Sequence, residues 1–330
     1  MKIAFLLEYP GLYYQFHTLI KGLRAAGCEV KYITVEKSTL GNSSHCLWHR
    51  HDFSTIDRFK PDRIVMWNGH RRNANPSVME LRAKYKIFKV EQGWFPQRGR
   101  GYMDTEMGYG GELSKFDLSK DVRLTRSEEH LINKTREQYL VRPDLYKMKH
   151  PYILVPLQLE TDISILKDSP HFTRMDVFLD YLSEHTSDYP ILVKHHPKVY
   201  KWRKKELDEK YKGHPRIRFI KDENIRTIDL VQNAKAIVGL NSTVLTEAHL
   251  FDTPVIPFAN SAFLKARTDL LDKKDFTDDL VDNKAIKRNT LLLLAVMNQW
   301  RRDQRIPNWV VQKVINYDIR PRFPYSSVIP

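Results

Sequence analysis

The chain has 330 residues, 42% of them hydrophobic and 28% charged, with a net charge of +14. That is the makeup of a globular protein long enough for two cores, and its positive balance predicts an anionic partner. No zinc-finger spacing and no Lys/Arg-Gly-Phe box occurs, so nucleic acid is disfavoured. Cys28 and Cys46 are too few for a disulfide framework and form no CxxC site, which predicts a reducing, cytoplasmic setting. The opening Met1-Lys-Ile-Ala-Phe-Leu-Leu-Glu8 is too short for a signal peptide, and the apolar run Leu291 to Met297 falls short of the roughly 20 residues that span a bilayer.

In chain order, Lys2 to Leu7 predicts a buried strand, and Tyr13, Phe16, Leu19, Ile20, Leu23 and Ala26 share one helical face that Gly27 terminates. Glu29 to Val35 predicts a second strand. The intervening Tyr9-Pro-Gly-Leu-Tyr13 lacks GxGxxG, so no dinucleotide fingerprint is present. Residues 38 to 50 read as polar and irregular. Strands follow at Arg63 to Trp67 and Lys86 to Glu91, with a helix from Pro76 to Tyr85 between them. Phe95 to Gly111 reads as a long glycine-rich loop, Arg126 to Tyr139 as a helix, and Arg142 to Pro151 as a linker.

The alternation then restarts. Strands are predicted at 152–157, Ile191 to Lys194, Ile217 to Ile220, Ala236 to Leu240 and Pro254 to Phe258. Helices are predicted near Phe172 to Ser183, Thr227 to Asn233 and Thr243 to Phe251, with a helical tail from Asp275. Two alternating halves predict two Rossmann-like domains, residues 1–145 and 150–330, facing a cleft, with a final helix crossing back to the first.

Several strands end in chemistry-bearing residues. Ile153 to Leu157 is apolar, then turns polar at Gln158, Glu160, Thr161 and Asp162. Such a cluster reaches the carboxyl edge of a parallel sheet, where open α/β proteins bind ligands, although Glu160 and Asp162 equally suit a helix cap. Lys194-His-His-Pro197 ends another strand, and Lys194 and His196 suit a phosphate; no third ligand at metal spacing accompanies the histidines. Asn241-Ser-Thr243 opens a helix whose free N–H groups attract anions, with Glu247 one turn further on. In the first half, Glu91 ends a strand ahead of Trp94. A carboxylate beside an indole suits acid/base work, and a structural Glu bonded to loop backbone is the alternative. Glu91 and Asp162 on opposite walls of a cleft would match the carboxylate pairing of glycosyl chemistry. The Arg, His and Tyr residues of segments 45–51, 70–72 and 97–109 suit an acceptor site or a solvated surface alike.

Together, Trp67-Asn-Gly69, Glu91-Gln-Gly-Trp94 with Asp104, Val155-Pro-Leu-Gln158 through Asp162, Lys194-His-His-Pro197, Asn241-Ser-Thr243 with Glu247, and Pro254-Val255 resemble the retaining β-Kdo transferases of bacterial capsule and O-antigen (lipopolysaccharide) synthesis. Order and spacing agree over residues 60 to 260. The resemblance implies a GT-B fold, CMP-β-Kdo as donor and a glycan or lipid-linked glycan as acceptor. It implies double displacement, with Asp162 as nucleophile and Glu91 as acid/base. Gln158, Lys194, His196, Pro197, Asn241, Ser242, Thr243 and Glu247 would bind the donor, and Asn68, Trp94 and Asp104 the acceptor. No metal or other cofactor is expected, because protein cations and a helix dipole can stabilise the leaving phosphate. A peripheral contact with the anionic inner membrane fits the charge. The loop Phe95-Pro-Gln-Arg-Gly-Arg-Gly-Tyr-Met-Asp104 departs from the family's apolar, threonine-rich stretch, which points to a different acceptor. Two other readings stay open: a transferase using CMP-sialic acid or a CDP-polyol, and a non-catalytic anion-binding scaffold.

Overall fold

The computed structural model describes residues 1–7, 13–34, 46–48, 54–67, 81, 83–97, 99–106, 108–139, 146, 148, 150–281 and 286–324. The chain forms two compact units, Met1–Lys115 with Met297–Arg322, and Phe116–Val296 with Phe323–Pro330. The break therefore falls after Lys115, whereas the sequence places it between 145 and 150. The helix Arg126–Glu137 goes with the second unit, and the helix Asn308–Asn316 returns to the first.

Among the described residues the first unit carries seven strands: β1 (Lys2–Leu7), β2 (Glu29–Thr34), β3 (Cys46–Trp48), β4 (Arg63–Trp67), β5 (Lys86–Gln92), β6 (Arg100–Asp104) and β12 (Gln299–Arg301). Their order is β3-β2-β1-β4-β5-β6-β12. The first five pair in parallel, while β6 runs antiparallel to β5 and β12 antiparallel to β6. The helix Tyr13–Ala25 buries Phe16, Leu19, Ile20 and Leu23, the face expected from its 3.6-residue period. Three expectations change here. The segment 38–50 contains β3, the glycine-rich loop contains β6, and the tail read as helical contains β12. Of the helix expected from Pro76 to Tyr85, Leu81, Ala83 and Lys84 are helical and residues 76–80 and 82 lie outside the described residues, as does most of the linker expected at 142–151.

The second unit carries β7 (Tyr152–Pro156), β8 (Ile191–Lys194), β9 (Ile217–Phe219), β10 (Ala234–Gly239) and β11 (Val255–Pro257), ordered β11-β10-β7-β8-β9 and all parallel. Every residue of β7 is buried, which is why it reads as an unbroken apolar run. Helix Met175–His185 lays Met175, Phe178, Leu179 and Leu182 onto this core, and each such buried side chain contributes roughly 1.5–3 kcal/mol. Helix Arg126–Glu137 starts in a capping box: Thr125 Oγ1 accepts from the Glu128 N–H, and the Glu128 carboxylate accepts from the Thr125 N–H at 2.7 Å. The helix Lys201–Lys210 escaped the sequence reading, as did Ser54–Phe59 in the first unit, while Ile163–Asp168 is the helix that the capping alternative for Asp162 expected. The α/β class of two mostly parallel sheets is as expected. Among the described residues no helix is long and apolar enough to cross a membrane.

Candidate functional site

In the second unit β7 is central, and chain order reverses on its two sides: β8 and β9 extend one way, β10 and β11 the other. The carboxyl edge beside such a reversal is the usual ligand crevice of an open α/β sheet. The residues that follow β7, β8 and β10 therefore meet at one edge. Gln158 to Asp162, Lys194 to Pro197 and Asn241 to Thr243 are those residues. The ladder holds them in register, with Pro156 opposite Lys194 and the Leu157 N–H donating to the Lys194 carbonyl at 2.9 Å.

Their atoms are committed to different degrees. Gln158 and Asn241 form a reciprocal clip: Gln158 Nε2 donates to Asn241 Oδ1 at 2.8 Å, and the Asn241 N–H donates to Gln158 Oε1 at 3.0 Å. Asn241 Nδ2 also donates to the carbonyls of Ser164 and Asn260. These amides thus brace the edge. Asp162 caps the helix Ile163–Asp168, its Oδ1 accepting from the Ser164 N–H and hydroxyl at 2.9 Å each. Its Oδ2 takes no hydrogen bond among the described residues, and the residue is exposed. The cap thus orients a carboxylate that keeps one oxygen free.

The Lys198 N–H donates to His196 Nδ1 at 3.1 Å, so the ring proton of neutral His196 sits on Nε2, ready to donate. Burial pushes His196 below the ordinary histidine value, and the charge of Asp162 works against that shift. Lys194 Nζ donates to the Asp222 carbonyl at 2.8 Å, and burial lowers its pKa. His195 is buried, with Nε2 2.8 Å from Asp208 Oδ1 and its ring stacked on Phe219; burial lowers its pKa also. Pro197 is exposed and closes the turn. Ser242 stands at the N-terminus of the helix Thr243–Ala248, and its side chain makes no capping bond. Glu247 accepts from the Tyr139 hydroxyl at 2.9 Å.

Glu160 is scaffold. It accepts from the Met175 N–H at 2.7 Å and from Arg203 Nε and Nη2 at 3.1 and 2.6 Å. Arg203 Nη2 reaches Asp176 Oδ1 at 2.8 Å as well. Burial pushes Asp176 up, but the bonds from Arg174 and Arg203 outweigh it and hold the carboxyl well below the usual range. This network fixes the 157–161 turn, and Arg203, its centre, was not singled out from sequence. Gln158, Glu160, Thr161, His195, His196, Tyr200 and Trp202 line one pocket at this edge.

In the first unit two of the expected acceptor residues, Asp104 and Trp94, are tied into the fold. Asp104 is 3% exposed, and its carboxylate accepts from the N–H groups of Thr105, Glu112 and Leu113 at 2.6 to 2.9 Å. Burial raises its pKa against those bonds. A Cβ at Gly111 would lie 2.5 Å from Asp104 Oδ2, so only glycine fits there. Trp94 is buried against Tyr102, ring centroids 4.2 Å apart, and its N–H donates to Gln299 Oε1. Asp104 and Trp94 thus anchor their loops. Glu91 is half-buried on β5, and its Oε1 accepts from the Gln92 N–H at 2.7 Å. Asn68 lies outside the described residues. Among the described residues no three His, Cys, Asp or Glu side chains converge as metal ligands.

Residues 116–266 match the family described as capsule polysaccharide biosynthesis protein. That span holds all the residues of the second-unit edge. Protein FixF of Sinorhizobium fredii is 30% identical over 115 residues, 34% of this chain and 27% of that protein. The match thus spans about a quarter of the length of that curated relative. The structure of the β-Kdo 2,7 transferase of Thermosulfurimonas dismutans KpsC superposes with a TM-score of 0.60 at 16% identity, covering 96% of this chain and 99% of that one. The β-Kdo 2,4 transferase of the same KpsC gives 0.55 at 16% identity over 88% and 89%. At that identity the likeness establishes the fold, which is α/β and GT-B-like.

Proposed function

We propose that the protein is a glycosyltransferase of bacterial surface polysaccharide synthesis that moves Kdo from CMP-β-Kdo to a glycan with retention. The observation that carries this reading is the edge of β7, β8 and β10, where a free carboxylate oxygen of Asp162 and the Nε2–H of His196 occur together inside the span that matches the capsule family. The names of the KpsC structures support Kdo as the sugar.

The chemistry follows from those atoms. Lys194 and His196 hold the donor phosphate, with Ser242 and Thr243 beside them, and the leaving charge is neutralised by side chains. Asp162 Oδ2 attacks the anomeric carbon; the bond from that carbon to the phosphate oxygen breaks and CMP departs. The acceptor hydroxyl then attacks the same carbon, the Asp162 carboxylate leaves, and Glu91 receives the hydroxyl proton. Two inversions give retention. Gln158 and Asn241 act indirectly, keeping the two strand ends in register. The acceptor is a glycan or lipid-linked glycan.

Donor hydrolysis compared across CMP-Kdo, CMP-sialic acid and a CDP-polyol tests the reading. Preferential turnover of CMP-Kdo is expected. Preference for either other donor transfers the same site to a different sugar, and no turnover of any donor removes the enzyme reading.

A further inference from the structure

We infer that Tyr200 and Trp202 form a stacking platform that holds an acidic glycan chain at the mouth of the pocket after β7; the inference rests on the transferase reading and adds a second contact to it. Tyr200 is 64% exposed and Trp202 66%, in a unit whose other large aromatics are mostly buried. Their rings lie nearly parallel, centroids 6.2 Å apart with an interplanar angle of 11°. Water-facing aromatic surface of this kind costs solubility and marks a binding surface more often than a packing one.

The Tyr200 side chain does nothing for its own helix. It occupies the N-cap of Lys201–Lys210, where Ser, Thr, Asp or Asn would accept an N–H, and its side chain makes no capping bond. The platform is nevertheless fixed. Arg203, next to Trp202, is buried and bonds Glu160 and Asp176, so the start of the helix that carries both residues is tied to the 157–161 turn. Both rings line the same pocket as Gln158, Thr161 and His196.

The surroundings select the ligand. Lys201 and Lys205 line an adjoining groove and have no ion-pair partner among the described residues, which favours carboxylated sugars whose C–H faces rest on the rings. A nucleobase pocket would enclose its rings, whereas these stand two-thirds exposed.

The test uses the full chain with Tyr200→Ser and Trp202→Ala. Calorimetric titration with a Kdo disaccharide glycoside should weaken about tenfold in Trp202→Ala, and the acceptor KM should rise by a similar factor. The Kd for CMP and acceptor-independent hydrolysis of CMP-Kdo should stay within twofold, about the scatter of such assays. Unchanged glycoside binding in both variants overturns the platform. A weakened CMP Kd makes it a nucleobase contact instead, and loss of binding to phosphatidylglycerol vesicles with intact glycoside binding makes it a membrane contact; either refutes the inference. The titration needs no turnover. Absence of Kdo transfer by the wild-type chain refutes the donor assignment, while the titration alone decides the platform.

Discussion

The end of β6 and the turn after β7 both close buried strands with carboxylates, yet they spend them differently. Around Asp104 every acceptor is used: three backbone N–H groups converge on it and Gly111 closes over it. Around Asp162 one oxygen caps a helix and the other is left over. His196 repeats the pattern, with Nδ1 fixed by Lys198 and Nε2 available. A polar residue at a strand end is thus a functional candidate when the fold holds it by one atom and leaves another unused.

Substitutions sharpen that contrast, the largest effect first. Asp162→Asn keeps an N-cap oxygen but no nucleophile. Transfer should fall by at least about a thousandfold, roughly 4 kcal/mol in the barrier, with stability and CMP affinity nearly unchanged. Steady-state kinetics beside thermal melts read both. His196→Ala should weaken CMP by roughly ten- to a hundredfold, since a hydrogen bond to a charged phosphate is worth about 1.5–3 kcal/mol; fluorescence or calorimetric titration measures it. Asp104→Asn should do the reverse of Asp162→Asn. Turning an acceptor into a donor before buried N–H groups should cost about 1–3 kcal/mol in denaturant unfolding, with little change in the kinetics of the folded enzyme.

The smallest effect is in pH. Burial lowers His195 and His196 below the ordinary value of 6.5. The unfolded chain then takes up protons at higher pH than the fold, so stability present above 6.5 is lost as the pH falls below it. His195→Gln, which can still donate to Asp208, should flatten that acid limb; an identical slope in wild type and variant would remove buried histidine as its cause.

Much of the second unit was legible because its signals are local. Ile191–Lys194 is a run of buried β-branched and leucine residues closed by a lysine, and Met175–His185 carries its apolar stripe at helical spacing. The helix Lys201–Lys210 was not, because it buries only Arg203 and Leu207 and shows no stripe. Tyr200 and Trp202 went unnoticed with it. The strand Arg100–Asp104 hid among glycines for a nonlocal reason: a Cβ on Gly101 would come within 3.1 Å of Trp300 and Arg302, residues about two hundred positions later. Likewise Gln299 bonds the Trp94 and Phe95 N–H groups, a clamp no local pattern announces. The strands that carry the carboxyl-edge residues were legible, but which atoms stay free depends on neighbours such as Ser164 and Lys198, and only the fold supplies those.

The central claim is that Asp162 carries the sugar between donor and acceptor. Intact-protein mass spectrometry after incubation with enzymatically generated CMP-Kdo tests it most directly, using Glu91→Gln to slow the second displacement. The account predicts a chain one Kdo residue heavier, the adduct mapping to Asp162 after proteolysis and absent from Asp162→Asn. An adduct on another residue, or full transfer activity in Asp162→Asn, would contradict it.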